Sequence, residues 1–175
     1  MNFGISIRCA GLSVALFASL SAVTISLGKN QDWPAVGGDK GGSRYSTLNQ
    51  INCHNVNTLQ VAWTYHTGDA RNDTTIECTP IVIGGAMYLT TAMSKVVALD
   101  ADTGCQRWKF DPYDGVKIKQ PRASGGVNRG LAYWSDGSQM RILLGASDGR
   151  LISLDAKTGR PDANFGHACT VDLRE

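Results

Sequence analysis

The sequence predicts an all-β protein assembled from repeated units of short strands, and three observations carry that reading. Apolar runs of a few residues alternate with turns rich in glycine and aspartate between positions 81 and 159. No segment after residue 28 sustains a helical period. One nine-residue phrase occurs twice, as Val96-Val97-Ala98-Leu99-Asp100-Ala101-Asp102-Thr103-Gly104 and as Leu151-Ile152-Ser153-Leu154-Asp155-Ala156-Lys157-Thr158-Gly159, 55 residues apart. Short strands recurring at that period indicate a propeller or a related β-array.

The elements follow in order. Ile81-Val82-Ile83, the pair Gly84-Gly85 and Met87-Tyr88-Leu89 read as a hairpin closed by a glycine turn. Val96 to Leu99 is a further strand, and Cys105 to Phe110 runs back from the Asp-Ala-Asp-Thr-Gly turn. The second unit repeats the order: Leu131 to Trp134, a polar turn at Asp136-Gly137-Ser138, Arg141 to Gly145, then Leu151 to Leu154. In each repeated turn the aspartate side chain is expected to accept backbone N–H groups, and the glycine to take the positive φ the turn requires. Trp108, four residues past the turn, supplies a flat apolar body to wedge between neighbouring sheets. Trp63, in Val61-Ala62-Trp63-Thr64-Tyr65, is expected to do the same on an earlier strand. In the second unit the matching position is Ala163, so that wedge is either missing or moved to Phe165. The same strands could build a β-sandwich, but sandwich strands need no such internal similarity. With about 50 residues per four-stranded unit, the residues after 28 make two or three blades, short of the roughly four to eight of a closed propeller. The chain is therefore expected to be part of a larger assembly, its other blades lying beyond residue 175 or on another chain.

Composition sets the class. Apolar residues make up 42% and charged residues 18%, which suits a folded domain. Seventeen basic against fifteen acidic residues leave a net charge of +2 with no basic patch, so nothing argues for a nucleic-acid partner. Residues 1–28 stand apart: one positive charge up to Arg8, then small and apolar residues from Cys9 to Leu27. This is the pattern of a secretory signal peptide, and its richness in Ser, Ala and Gly favours cleavage near Ala22 or Gly28 over retention as a membrane anchor. The mature region, 29–175, is then expected to be periplasmic or secreted. It keeps Cys53, Cys78, Cys105 and Cys169, whose three possible pairings the sequence does not distinguish. Small unpaired thiols are the favoured state. No Cys-x-x-Cys occurs, so neither a zinc site nor an attached c-type haem is expected. His54, His66 and His167 lack metal-ligand spacing and read as surface or internally satisfied histidines rather than ligands.

From Asp32 to Leu173 the chain resembles the pyrroloquinoline-quinone (PQQ)-dependent dehydrogenases. Asp32-Trp33-Pro34-Ala35 with Ser43-Arg44-Tyr45-Ser46 resembles the family's opening segment, Leu59 to Asp69 its first Trp-bearing strand, and Val96 to Trp108 its blade-docking motif. Glu77-Cys78-Thr79-Pro80 resembles Glu-x-Thr-Pro, whose Glu contacts the cofactor. Val127-Asn128-Arg129-Gly130 resembles Val-Asn-Arg-Gly, whose Arg pairs with a cofactor carboxylate. The resemblance thus implies the first two to three blades of an eight-bladed propeller, with Glu77 and Arg129 as cofactor-binding residues. An Arg fork suits a carboxylated cofactor because it forms paired, charge-assisted hydrogen bonds.

The alcohol-oxidising branch carries adjacent cysteines just before Val-Asn-Arg-Gly. Here Ala123-Ser124 stand there, which favours the glucose dehydrogenase-like, sugar-oxidising branch, or an unassigned relative, over the alcohol branch. The family's calcium ligands and catalytic Asp belong to later blades, so no catalytic or metal residue is expected before 175. The implied function is oxidation of a sugar or alcohol, with electrons passed to a quinone or cytochrome, and little activity from this chain alone. The alternative is a non-enzymatic propeller acting as a periplasmic assembly module, against which Glu77 and Arg129 argue.

Overall fold

The computed structural model describes residues 32–115 and 127–174. The leader at 1–28 and the Ala123-Ser124 position lie outside the described residues. Eight strands form two antiparallel four-stranded meanders. The first contains β1 (Ile81–Ile83), β2 (Ala86–Thr90), β3 (Val96–Asp100) and β4 (Gln106–Phe110). The second contains β5 (Ala132–Ser135), β6 (Met140–Gly145), β7 (Arg150–Asp155) and β8 (Thr170–Asp172). Apart from a short 3-10 turn at Val56–Thr58, the described residues hold no helix. The predicted all-β architecture of repeated blades is what forms.

The tight β1–β2 hairpin pairs Ile83 with Ala86 across Gly84 and Gly85, at φ +55° and +71°. Positive φ at both turn residues matches the strand twist, which is why two glycines occur there. The repeated phrase builds the same turn twice. Asp100 Oδ1 accepts the N–H groups of Asp102 and Thr103 and the Thr103 hydroxyl, at 3.2, 3.0 and 2.9 Å. Asp155 Oδ1 does the same with Lys157, Thr158 and the Thr158 hydroxyl, at 3.1, 2.8 and 2.7 Å. Gly104 and Gly159 close the turns at φ +71° and +69°.

The sheets pack face to face. Ile81, Ile83, Tyr88, Val96 and Ala98 of the first share one core with Leu131, Ile142, Leu144, Ile152 and Leu154 of the second. Trp108 stands at this joint as expected, its Nε1–H donating to the carbonyl of Ala156 at 3.0 Å. Tyr88 donates its hydroxyl to the same carbonyl at 3.1 Å, with its ring 5.8 Å from that of Trp108. Trp63 repeats the arrangement one sheet earlier, donating to the carbonyl of Ala101 at 3.2 Å and lying over Gly104.

One sequence expectation needs correction. The segment around Trp63 joins no ladder among the described residues. It is extended, with Trp63, Tyr65, Thr67 and Asp69 half-buried and the residues between them exposed. It meets the first sheet through side chains, as where the Tyr65 hydroxyl donates to Gln106 at 2.6 Å. In the second sheet, the return strand is delayed. Leu154 bridges to Pro161, but β7 next pairs at Ile152 with Thr170. Ala163 and Phe165 both lie in the intervening loop. The Leu154–Pro161 bridge matches the Leu99–Gln106 pair of the first sheet, and the Asp162 N–H donates to the Ser153 carbonyl at 2.9 Å, so the place Trp108 holds falls to Ala163 and carries no aromatic ring.

Candidate functional site

Two extended segments, one leading into each first strand, meet side by side. Thr79 and Gly130 form a parallel bridge, with the Thr79 N–H donating to the Arg129 carbonyl at 3.2 Å. The sheets therefore converge at the start of β1 and β5, as sheets radiating from a common axis do. Gly130 sits at φ +138°, and a Cβ there would stand 3.1 Å from the Thr79 carbonyl oxygen, which explains the glycine at this crossing.

This crossing brings together the two site residues predicted from sequence. Arg129 Nη2 lies 3.2 Å from Glu77 Oε2. The Arg129 side chain is 83% exposed and that of Glu77 37%. The Glu77 carboxylate contacts one edge of the guanidinium, so the rest of the fork faces outward while its backbone is pinned at both Thr79 and Gly130. A planar cation fixed at its base and open at its tip fits an incoming carboxylate.

Behind the pair lies a polar network that sequence reading missed. Asn128 Oδ1 accepts the Gly130 N–H at 2.9 Å and the Thr90 hydroxyl at 3.1 Å. Its Nδ2 donates to the Gly145 carbonyl at 3.2 Å. The Thr90 N–H donates to Cys78 Sγ at 3.2 Å. Thr90 is fully buried at the end of β2. The available signal was a hydroxyl residue closing the apolar run 86–89, together with Asn128 inside a segment already singled out for its arginine.

The same end carries the β2–β3 turn, where the Thr91 hydroxyl donates to Asp69 Oδ2 at 2.6 Å and Lys95 pairs with Asp111 at 2.9 Å. Asp111 holds the Lys95 ammonium above its ordinary pKa. The other oxygen of Asp69 is buried without a hydrogen-bond partner. Among the described residues no group of three His, Cys, Asp or Glu is placed to hold a metal ion. All three histidines are exposed, the surface alternative of the two open to them, and the four cysteines from Cys53 to Cys169 are free thiols.

The profile of the family "PQQ: Glucose/ethanol/alcohol dehydrogenase, beta-propeller domain" matches residues 33–175. The chain belongs to this PQQ dehydrogenase propeller family. Among its relatives, quinoprotein glucose dehydrogenase A of Acinetobacter calcoaceticus is 36% identical, covering 82% of this chain and 20% of that protein. Quinohemoprotein alcohol dehydrogenase of Comamonas testosteroni is 40% identical, covering 75% of this chain and 18% of that one. The crystal structure of the Comamonas enzyme superposes with a TM-score of 0.67 at 37% identity, covering 83% of this chain and 20% of the enzyme. This PQQ dehydrogenase chain thus spans about a fifth of the length of such relatives. The two sheets are blades of the family's propeller. Relatives named for glucose and for alcohol both match, so similarity alone does not select a branch.

Proposed function

We propose that this chain supplies the N-terminal blades of a PQQ-dependent dehydrogenase and one wall of its cofactor site. The Glu77–Arg129 pair at the crossing carries this reading: two motif residues some 50 positions apart in sequence share one ion pair where the blades converge. Arg129 would hold a cofactor carboxylate through its outward edge, and Glu77 would orient the guanidinium from behind. The donor set fits an anion, because Glu77 covers only part of the fork. Bound PQQ would supply a two-electron acceptor for a sugar or alcohol, with electrons leaving to a quinone or cytochrome and calcium held by residues outside this chain. Ala123-Ser124, in place of the paired cysteines of the alcohol branch, favours a sugar as substrate. Residues 1–28 would direct export to the periplasm.

Titration of PQQ into the full-length apoprotein tests the site. Charge-assisted hydrogen bonds contribute about 1.5–3 kcal/mol each, so Arg129→Ala should weaken binding by roughly 10- to 100-fold. Arg129→Lys should recover only part of this, since an ammonium keeps the charge but loses the two-pronged plane. Unchanged affinity in Arg129→Ala would refute the assignment.

A further inference from the structure

We propose that Thr90 and Asn128 form a positioning relay that sets where Arg129 presents its guanidinium, so that the closure of the two blades and the reach of the cofactor-binding arginine are one structural event. The inference rests on Arg129 binding a cofactor carboxylate and adds two residues that need not touch that ligand.

The relay spans equivalent points of the two sheets. Ala86 pairs with Asp100 in the first sheet and Arg141 with Asp155 in the second, so the repeat places Thr90, at the end of β2, in correspondence with Gly145, at the end of β6. The Asn128 carboxamide joins these two ends, accepting from the Thr90 hydroxyl at 3.1 Å and donating to the Gly145 carbonyl at 3.2 Å. Its oxygen also takes the Gly130 N–H at 2.9 Å. The backbone on either side of Arg129 is therefore held by one side chain, while the Arg129 carbonyl is held by the Thr79 N–H at 3.2 Å.

Thr90 completes the frame from the other direction. Its N–H reaches Cys78 Sγ at 3.2 Å, next to Glu77. One buried residue thus contacts both strands of the crossing, through its backbone on the Glu77 side and through its hydroxyl on the Arg129 side. A buried hydroxyl whose partner is removed carries a desolvation cost, so the Thr90–Asn128 bond resists opening. An exposed, multi-torsion arginine gains most from such a fixed base, because less conformational freedom is then lost when it binds.

Thr90→Val removes the hydroxyl with little change of shape, and Thr90→Ser restores it. In the full-length apoprotein titrated with PQQ, Thr90→Val is expected to weaken binding about 3- to 10-fold, the span of one neutral hydrogen bond, with Thr90→Ser near wild type. The deciding measurement repeats Thr90→Val in the Arg129→Ala background. A relay that acts through Arg129 should then add almost nothing to the loss. An equal additional loss in both backgrounds would overturn the relay while leaving the arginine assignment intact. If Arg129→Ala alone leaves affinity unchanged, the cofactor assignment falls and the relay with it. Should Thr90→Val fail to fold, Asn128→Ala at the half-buried position takes its place in the same cycle, with the same two outcomes.

Discussion

The Trp108 ring occupies the space in which a side chain on Gly159 would stand: a Cβ there would lie 2.5 Å from the ring. The joint between the two sheets is thus a matched pair, an indole from one blade and a glycine turn from the next, with the Ala156 carbonyl accepting the indole N–H. Trp63 and Gly104 form a second copy, also with a 2.5 Å approach.

Gly159→Ala should therefore be destabilising for two reasons, the positive φ and the collision with the ring. A cost of roughly 1–3 kcal/mol in urea unfolding is expected. Trp108→Ala should cost up to about 3–5 kcal/mol through lost packing. In the double variant the collision is gone, so the Gly159→Ala penalty should shrink to its backbone part. Strict additivity would mean that the ring does not press on this turn.

Much of this architecture was legible in the sequence because it rests on local chemistry. The Asp-x-x-Thr-Gly phrase carries its own turn-forming contacts, the Asp side chain on the following N–H groups and the positive φ of the glycine. The delayed β8 was not legible, since after Pro161 nothing in the sequence marks where the chain returns to β7 until the long-range pairing at Thr170 is known. At the candidate site, resemblance singled out Glu77 and Arg129 as candidates, but not their contact with each other. It arises from the parallel crossing of two segments that carry no turn or strand signature. Thr90 was hidden for a related reason: a threonine ending a strand is common, and only its three-dimensional neighbours give it a role.

Acid should loosen the repeated turns. Hydrogen bonding from Arg107, together with Thr103, lowers the Asp100 pKa from its ordinary 3.8 to about 2. Asp155 is lowered as well, chiefly by the Thr158 hydroxyl. A carboxylate with a depressed folded-state pKa adds stability that is complete above the unfolded value and is lost as pH falls through the folded one. Stability should therefore decline from about pH 4 towards pH 2. Asp100→Asn, which keeps an acceptor for the turn but cannot titrate, should show a shallower slope over that window in urea unfolding at stepped pH. An identical slope would remove Asp100 from the account.

Export gives an independent check on the first 28 residues. The run from Cys9 to Leu27 carries no charge and is rich in small side chains, the composition of a cleaved leader. Intact-mass measurement of the protein recovered from the periplasm should find an N-terminus near residue 23 or 29. A mature protein that retains Met1 would contradict cleavage.

The last prediction separates what holds the crossing from what the crossing presents. Arg129 and Glu77 form an ion pair with one side chain 83% exposed, and exposed pairs contribute at most about 1 kcal/mol. Arg129→Ala should thus leave the urea midpoint nearly unchanged while weakening PQQ binding. Gly130→Ala should act the other way round at the start. Its φ of +138° disfavours any side chain, and the new Cβ would press on the Thr79 carbonyl oxygen at 3.1 Å. Relief requires the two segments to part, which breaks the Thr79–Arg129 hydrogen bond and moves the arginine. Gly130→Ala should therefore lower stability by roughly 1–3 kcal/mol and weaken PQQ binding as well. Measuring both quantities for both variants checks the division. If Arg129→Ala destabilises as much as Gly130→Ala, the ion pair is a structural tie, and its role in presenting a charge to a ligand loses its support.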